Sequence, residues 1–151
     1  AMERLHEEGL IRSIGLSNFM QHHAELVMAK ANICPMVDQI EYHPGFTQKE
    51  GVEFCQKNNI LVEACSPFGR GNVLDNPLLK SIAANHNKSV AQVVIRWVMQ
   101  TGVLPLVKSV TLSRIKENFD VFDFELSQQE MLETASLKAD RIGTDPDTCD
   151  F

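Results

Sequence analysis

The sequence predicts an α/β protein built on a parallel sheet of four strands. Short apolar, strand-like runs alternate four times with helical stretches along the chain. Strands that are separated by helices connect through right-handed crossovers and therefore form a parallel sheet. Polar residues also cluster directly after each run, at the sheet edge where parallel α/β proteins bind ligands. These clusters are Ser17-Asn18, His43-Pro44, Ser66-Pro67 and Lys108-Ser109.

The first half of the chain contains two predicted strand–helix units. Residues 1–8 have the pattern of a helix that lacks an N-cap. Since a self-contained domain rarely begins inside a helix, we expect a preceding segment, with a true start at Met2 as the alternative. The two units are a strand over 11–16 with a helix over 21–31, and a strand over 36–41 with a helix over 48–57.

The second half adds two strands, four helices and a tail. The third strand is predicted over 60–65 and the fourth over 103–107. The last helix begins after Ser127, and Glu130 completes a capping box with it. The stretch beyond Lys138 is predicted to be irregular or disordered. The four helices are predicted over 77–85, 90–100, 113–119 and 128–136.

Composition and charge argue against two classes of partner. The 151 residues are 44% hydrophobic and 23% charged, which is enough for one domain with a sizeable core. The net charge of −6 disfavours nucleic-acid binding, and no apolar run approaches the roughly 18 residues of a membrane helix. Four scattered cysteines without a CxxC pair indicate free thiols in a reducing cytoplasm, with neither a disulfide framework nor a metal site.

An anion site is predicted where the fourth strand meets the next helix. Lys108 and Ser109 end the strand, and Thr111 or Ser113 can cap a helix that carries Arg114 in its first turn. Free N–H groups and the helix dipole favour an anion there, and the two cations suit a phosphate monoester. From spacing alone, a strand–helix junction with solvated charges explains these residues equally well.

Four longer segments, at 12–19, 38–44, 64–71 and 108–118, form an ordered series of motifs. In order and spacing they resemble the aldo-keto reductases. The resemblance implies a (β/α)8 TIM barrel, which typically takes roughly 250 residues. This chain resembles its second half, so we expect an incomplete barrel of four parallel strands with their helices over 1–137 and a C-terminal tail over 138–151. An unrelated open α/β domain is the alternative.

The resemblance implies that one end of the sheet binds the nicotinamide carboxamide of a dinucleotide. Ser17, Asn18 and Gln39 match the residues that hydrogen-bond this group in the family. An amide side chain inside a barrel needs a polar partner, which the cofactor would supply. Taken alone, Ser17-Asn18 would be a turn or a helix cap.

The remaining cofactor contacts are implied in the same way. Ser66, Phe68 and Gly69 match the loop along the pyrophosphate, although a plain Gly/Pro turn has the same composition. The implied cofactor is NADP(H), since NAD(H) has no 2′-phosphate for cations to neutralise. Lys108, Ser109 and Arg114 match the 2′-phosphate site, and Glu117 and Asn118 match the adenine contacts.

Two residues near the predicted site are interpreted separately. Cys65 stands where the family commonly has a tyrosine that stacks on the nicotinamide, so a stacking surface worth about 1 kcal/mol is expected to be lost. No histidine stands in a suggestive relation to Cys65, and we do not assign it as a nucleophile. His43 is interpreted as a structural residue.

No catalytic residue is predicted in this chain. The family's Tyr acid and its Lys, Asp and His partners lie in the first half of the barrel, and Tyr42 belongs to another motif. We therefore expect an NADP-binding C-terminal half, which would act on a small carbonyl substrate only in a complete barrel. The alternative is a non-catalytic half-barrel that forms a homo-oligomer or binds a partner, because its strand edges and inner face are uncovered.

Overall fold

The sheet has four parallel strands in the order β1-β2-β3-β4, as predicted. The structure is a computed structural model that describes residues 1–149. Parallel neighbours joined through helices bring the carboxyl ends of all four strands to one edge. The strands are β1 Gly15–Ser17, β2 Val37–Glu41, β3 Leu61–Cys65 and β4 Leu104–Pro105.

Seven α-helices and one short 3-10 helix, Gly69–Asp75, accompany the sheet in the described part of the chain. The predicted capping box is confirmed, since Ser127 Oγ accepts the Glu130 N–H at 3.3 Å and the Glu130 carboxylate accepts the Ser127 N–H at 2.8 Å. The helices are α1 Met2–Glu7, α2 Gln21–Met28, α3 Lys49–Lys57, α4 Pro77–His86, α5 Val90–Gln100, α6 Leu112–Phe119 and α7 Gln128–Ala135.

Several predicted boundaries are wrong by a few residues, and the largest errors fall on the outer strands. β1 begins at Gly15, although a strand was predicted from Ile11, and β4 covers only Leu104–Pro105. Each of these strands has a single neighbour, so its ladder is short. Helix α2 ends at Met28, three residues before the predicted end.

The two faces of the sheet have different environments. Ile40, Val62 and Ala64 pack under the helices, where Trp97 and Leu79 are fully buried. Each buried Ile, Val or Leu side chain contributes about 1.5–3 kcal/mol. The strand register places a second set of side chains together on the opposite face, which no helix of the described chain covers. This inner face carries Ser17, Gln39, Glu63 and Leu104.

The tail after Lys138 is irregular, as predicted, but it is packed on the protein. The Ala139 N–H donates to the Gly45 carbonyl at 3.2 Å, and the N–H groups of Ile142 and Gly143 donate to Glu41. The tail therefore covers the end of β2. Residues 150–151, which the predicted tail includes, lie outside the described residues.

None of the helices within residues 1–149 has the length and apolar character that a membrane crossing requires.

Asp38 is a buried acid on the helix side of β2. It is 1% exposed, and neither of its oxygens has a well-formed hydrogen bond from any residue of the described chain. Burial raises the pKa of Asp38 to about 6, and the nearby Phe19 N–H opposes this rise only in part. Because the folded pKa exceeds the unfolded one, the carboxyl group is best accommodated when protonated, and stability is lost as the pH rises toward 6.

The Asp38→Asn variant should therefore be more stable than the parent at neutral pH. We expect the free energy of unfolding to rise by about 1–2 kcal/mol at pH 7, and the gain to vanish at about pH 3, where Asp38 is protonated in both states. Urea denaturation at both pH values measures this difference. The exposed Asp140→Asn change is the control, and an equal effect of the two substitutions would count against a buried charge at Asp38.

Candidate functional site

A groove runs along the carboxyl ends of the strands, and we call it the strand-end groove. It has three compartments of about 820, 230 and 440 Å³. We call them the wide compartment, the neck and the cationic compartment. Ser66 and Arg70 line both the wide compartment and the neck. Phe68, Leu74 and Lys108 line both the neck and the cationic compartment, so the three are contiguous.

The wide compartment is formed by the ends of β1 and β3 together with the tail. Ser17, Asn18, Cys65 and Ser66 all line it. Asn18 and Ser66 have positive φ angles of 57° and 53°, in a region that residues other than glycine rarely adopt. The Asn18 N–H donates to the Gln39 carbonyl at 2.8 Å, which continues the β1–β2 ladder. Such backbone strain concentrates at functional sites.

Glu41 holds the tail against the wide compartment. This buried carboxylate accepts the N–H of Ile142 at 2.8 Å and the N–H of Gly143 at 2.6 Å. In addition, His43 Nε2 lies 3.2 Å from it. Burial opposes ionisation of Glu41, but these donors together outweigh it and hold its pKa below the usual value. The tail residues Thr144, Pro146 and Cys149 thereby become part of the wall.

The neck follows β3 and contains the turn between Ser66 and Gly71. Arg70 and Gly71 both have positive φ, at 54° and 102°, and Arg70 is exposed where the neck meets the wide compartment. Arg70 lies within the 64–71 motif but is not among the predicted site residues. The sequence feature that could have indicated Arg70 is a cation placed between two glycines. Gly69 is buried below the neck, where an added Cβ would lie 3.4 Å from Val73.

The cationic compartment brings together five predicted residues. Its two cationic side chains, Lys108 and Arg114, are exposed. No carboxylate within residues 1–149 lies within 4.0 Å of either of them. The unpaired charges are therefore available to a ligand. The five residues are Lys108, Ser109, Arg114, Glu117 and Asn118.

Helix α6 begins beside these cations without a side-chain cap. Thr111 occupies the N-cap position, so the alternative of Ser113 is wrong, and the Thr111 side chain makes no cap hydrogen bond. Ser109 Oγ accepts the Thr111 N–H at 3.2 Å. The first-turn N–H groups remain open to an anion, which supports the phosphate interpretation over solvated charges alone.

Gln39 lies on the inner face beside Ser17, its register partner. Its Nε2 donates to Glu63 at 3.0 Å, so a protein carboxylate satisfies the amide from within the sheet. A cofactor amide is therefore not needed to satisfy this donor. The side-chain oxygen of Gln39 and its second N–H are left for a ligand.

His43 and Tyr42 both have structural positions away from the groove. His43 is buried, with its ring nitrogens 3.2 Å from Glu41 and 3.1 Å from the Pro44 carbonyl. Tyr42 is also buried, and its ring stacks on Trp97 with 5.4 Å between centroids. Burial raises the pKa of Tyr42. The chain's single tyrosine is therefore not placed to donate a proton in the strand-end groove.

The fold and the groove define one half of a parallel (β/α) barrel with a ligand site at its strand ends. The aldo/keto reductase family model matches residues 1–139. The chain belongs to this family, and both the resemblance and the incomplete (β/α)8 barrel are confirmed.

Similar proteins agree on the family and on the partial coverage. Glyoxal reductase of Bacillus subtilis (strain 168) is 50% identical over 148 residues, which are 97% of this chain and 54% of that protein. Methylglyoxal reductase DkgA of Escherichia coli (strain K12) is 40% identical over 149 residues, which are 97% of this chain and 54% of that protein. The chain thus spans about half the length of the relatives it matches.

Solved structures give the same result. A mutant of Gox0644 in complex with NADPH has a TM-score of 0.96 and 40% identity, covering 100% of this chain and 56% of that one. Aldose reductase from Schistosoma japonicum has a TM-score of 0.91 and 41% identity, and the match covers 95% of this chain and 47% of that one.

Proposed function

We propose that this chain is the NADP(H)-binding half of an aldo-keto reductase-like oxidoreductase. The observation that carries the proposal is the cationic compartment, where Lys108 and Arg114 stand unpaired beside the uncapped start of α6. A phosphate monoester offers the charge and the acceptors that this arrangement lacks. A structure with the same fold binds NADPH, which agrees with this chemistry.

The rest of the strand-end groove fits the remainder of the cofactor. Glu117 and Asn118 would contact the adenine beside the phosphate. The pyrophosphate would follow the neck, where Ser66 and Phe68 line the wall and Arg70 adds a cation that neutralises it.

The nicotinamide end would lie in the wide compartment. Its carboxamide would hydrogen-bond Ser17, Asn18 and the free oxygen of Gln39. The half-buried Cys65 would contact the ring at the end of β3 without a stacking surface. When bound, the reduced cofactor supplies a hydride for a carbonyl carbon.

The proton for carbonyl reduction would come from outside this chain. Tyr42 is buried against Trp97, and no other tyrosine exists in the sequence. A carbonyl reduction without a positioned acid loses roughly 10²–10⁴ in rate. The whole enzyme's reaction, reduction of a small aldehyde or ketone, would therefore need the groups of a complete barrel.

The experiment that tests this function compares cofactor binding with turnover. NADPH fluorescence titration should show saturable binding to the purified chain, while NADPH oxidation with glyoxal or methylglyoxal should stay at the background rate. Absence of saturable binding would contradict the cofactor site. Turnover well above background would contradict the assignment of the acid to another segment.

An exposed apolar face supports a second proposal, that this chain associates with another polypeptide. Phe119 is 74% exposed and Phe122 is 62% exposed. Both line a groove of about 550 Å³. Its walls come from α5, β4 and α6 and from the loops that follow β4 and α6. In the described sheet, β1 and β4 are also edges with one neighbour each. We propose that the other half of a barrel, or a second copy of this chain, covers this face. This supports the non-catalytic assembly module as the alternative function.

The purified chain is expected to associate beyond a monomer of 16.9 kDa. Light scattering measures the mass, and Phe119→Ser with Phe122→Ser should shift it toward the monomer because less apolar area is buried. Leu132→Ser changes an equally exposed residue on α7 and serves as the control. A parent that is strictly monomeric would exclude self-association.

The four cysteines are free in the structure. Free thiols suit a reducing compartment, and we propose a cytoplasmic location on that ground.

A further inference from the structure

A second cluster of polar side chains lies where the tail meets the start of α2. Asp147 Oδ1 lies 2.8 Å from His22 Nε2 and 3.2 Å from His23 Nε2. One ligand atom from each residue falls within 4.8 Å of the other two. The sequence indicated no metal site, because adjacent histidines are uninformative and Asp147 is 125 residues away from His22.

We propose that His22, His23 and Asp147 bind a divalent transition metal ion, with Zn²⁺ as the best fit. Two imidazoles and one carboxylate form a common zinc ligand set, whereas Ca²⁺ and Mg²⁺ prefer oxygen ligands throughout. Around a tetrahedral zinc ion with bonds of about 2.0–2.1 Å, neighbouring ligand atoms lie about 3.3 Å apart. The separations of 2.8 and 3.2 Å from Asp147 are close to that value, and the two histidine nitrogens lie within 4.8 Å of each other, so small side-chain movements would admit the ion.

The site would be open on its solvent side. His22 is 56% exposed and Asp147 45% exposed, which leaves the fourth position to water. Three protein ligands and one open position are typical of zinc sites that exchange a ligand, and closed structural sites have four protein ligands. We therefore expect a bound ion that keeps one exchangeable water.

One contact limits the affinity. His23 Nδ1 accepts the Met20 N–H at 3.3 Å, in the box that begins α2. A neutral ring that binds metal through Nε2 carries its proton on Nδ1, so this hydrogen bond must be given up. Ligands that lack a supporting hydrogen bond bind metal about 10- to 100-fold more weakly.

Metal binding would join the tail to α2. The same tail segment carries Thr144 and Cys149, which line the wide compartment. The ion would therefore add to the hold that Glu41 already exerts on the tail. This inference depends on three residues outside the cationic compartment and holds whether or not NADP(H) is the ligand of the groove.

Isothermal titration of the purified chain with Zn²⁺ tests the proposal. We expect one site that His22→Gln and Asp147→Asn each weaken at least about tenfold, since two ligands hold zinc poorly. The control is His86→Gln, because His86 pairs with Glu130 at 3.0 Å without a third ligand. All variants retain the four cysteines, so binding to thiols contributes equally to each titration.

The proposal is overturned if the parent chain binds no zinc. The same holds for binding that is unchanged in His22→Gln and Asp147→Asn, because the ion would then be on the thiols. Mg²⁺ should give no heat in the same titration. Circular dichroism of each variant checks that the substitutions leave the fold intact.

Discussion

Replacing both Lys108 and Arg114 with alanine is expected to weaken NADPH binding by about 100-fold or more and to leave NADH binding unchanged. Charge-assisted hydrogen bonds contribute about 1.5–3 kcal/mol each, and both cations would face the same phosphate. NADH has no 2′-phosphate, so its affinity does not depend on them. Fluorescence titration of both cofactors against parent and variant measures the two ratios.

Two further variants separate the charge from its geometry. Arg114→Lys keeps the charge but removes the planar fork, so an intermediate loss is expected. Lys57→Ala removes an exposed lysine of α3 from outside the groove and should have no effect. A double variant with parental NADPH affinity would show that the cationic compartment is not the phosphate site.

The Glu41→Gln substitution is expected to produce the largest loss of stability, about 2–4 kcal/mol. The carboxylate of Glu41 accepts the N–H groups of Ile142 and Gly143, and His43 Nε2 lies 3.2 Å from it. A glutamine has one oxygen, and its NH₂ group would face one of these donors. Denaturant unfolding measures the loss, and limited proteolysis shows release of the tail.

The loss should depend on pH in a defined direction. The pKa of Glu41 is lowered in the folded state, so its stabilisation is full above the unfolded pKa of about 4.3 and is lost as the pH falls through the folded pKa. The difference between parent and variant should therefore shrink in acid. Glu53→Gln on the exposed face of α3 is the control, and equal unfolding free energies for parent and Glu41→Gln would refute this role.

The strand-end residues were the most predictable part of the site. Each predicted pair begins at the end of a strand or within three residues after it, and a parallel sheet aligns strand ends regardless of loop detail. For that reason Ser17, Ser66 and Lys108 could be placed on one groove from the sequence. The lengths of β1 and β4 could not be predicted, because they depend on how many neighbours each strand has.

The contributions of the tail were not predictable from local patterns. Glu41 and Gly143 are 102 residues apart, and their contact depends on how the tail folds back over β2. Asp147 meets His22 for the same reason. Long-range polar contacts leave no periodic signal in the sequence, whereas amphipathic helices and capped ends do.

Calorimetric titration with adenosine 2′,5′-bisphosphate tests the central claim most directly. This compound carries the adenine, the 2′-phosphate and the 5′-phosphate of NADP(H) without the nicotinamide, so it reports on the adenosine end of the groove, and adenosine 5′-monophosphate isolates the contribution of the 2′-phosphate. We predict one site per chain and at least about tenfold weaker binding of adenosine 5′-monophosphate, which lacks one charged phosphate. Equal affinity for the two nucleotides, or no binding of either, would contradict the assignment of Lys108 and Arg114 to an NADP(H) phosphate site.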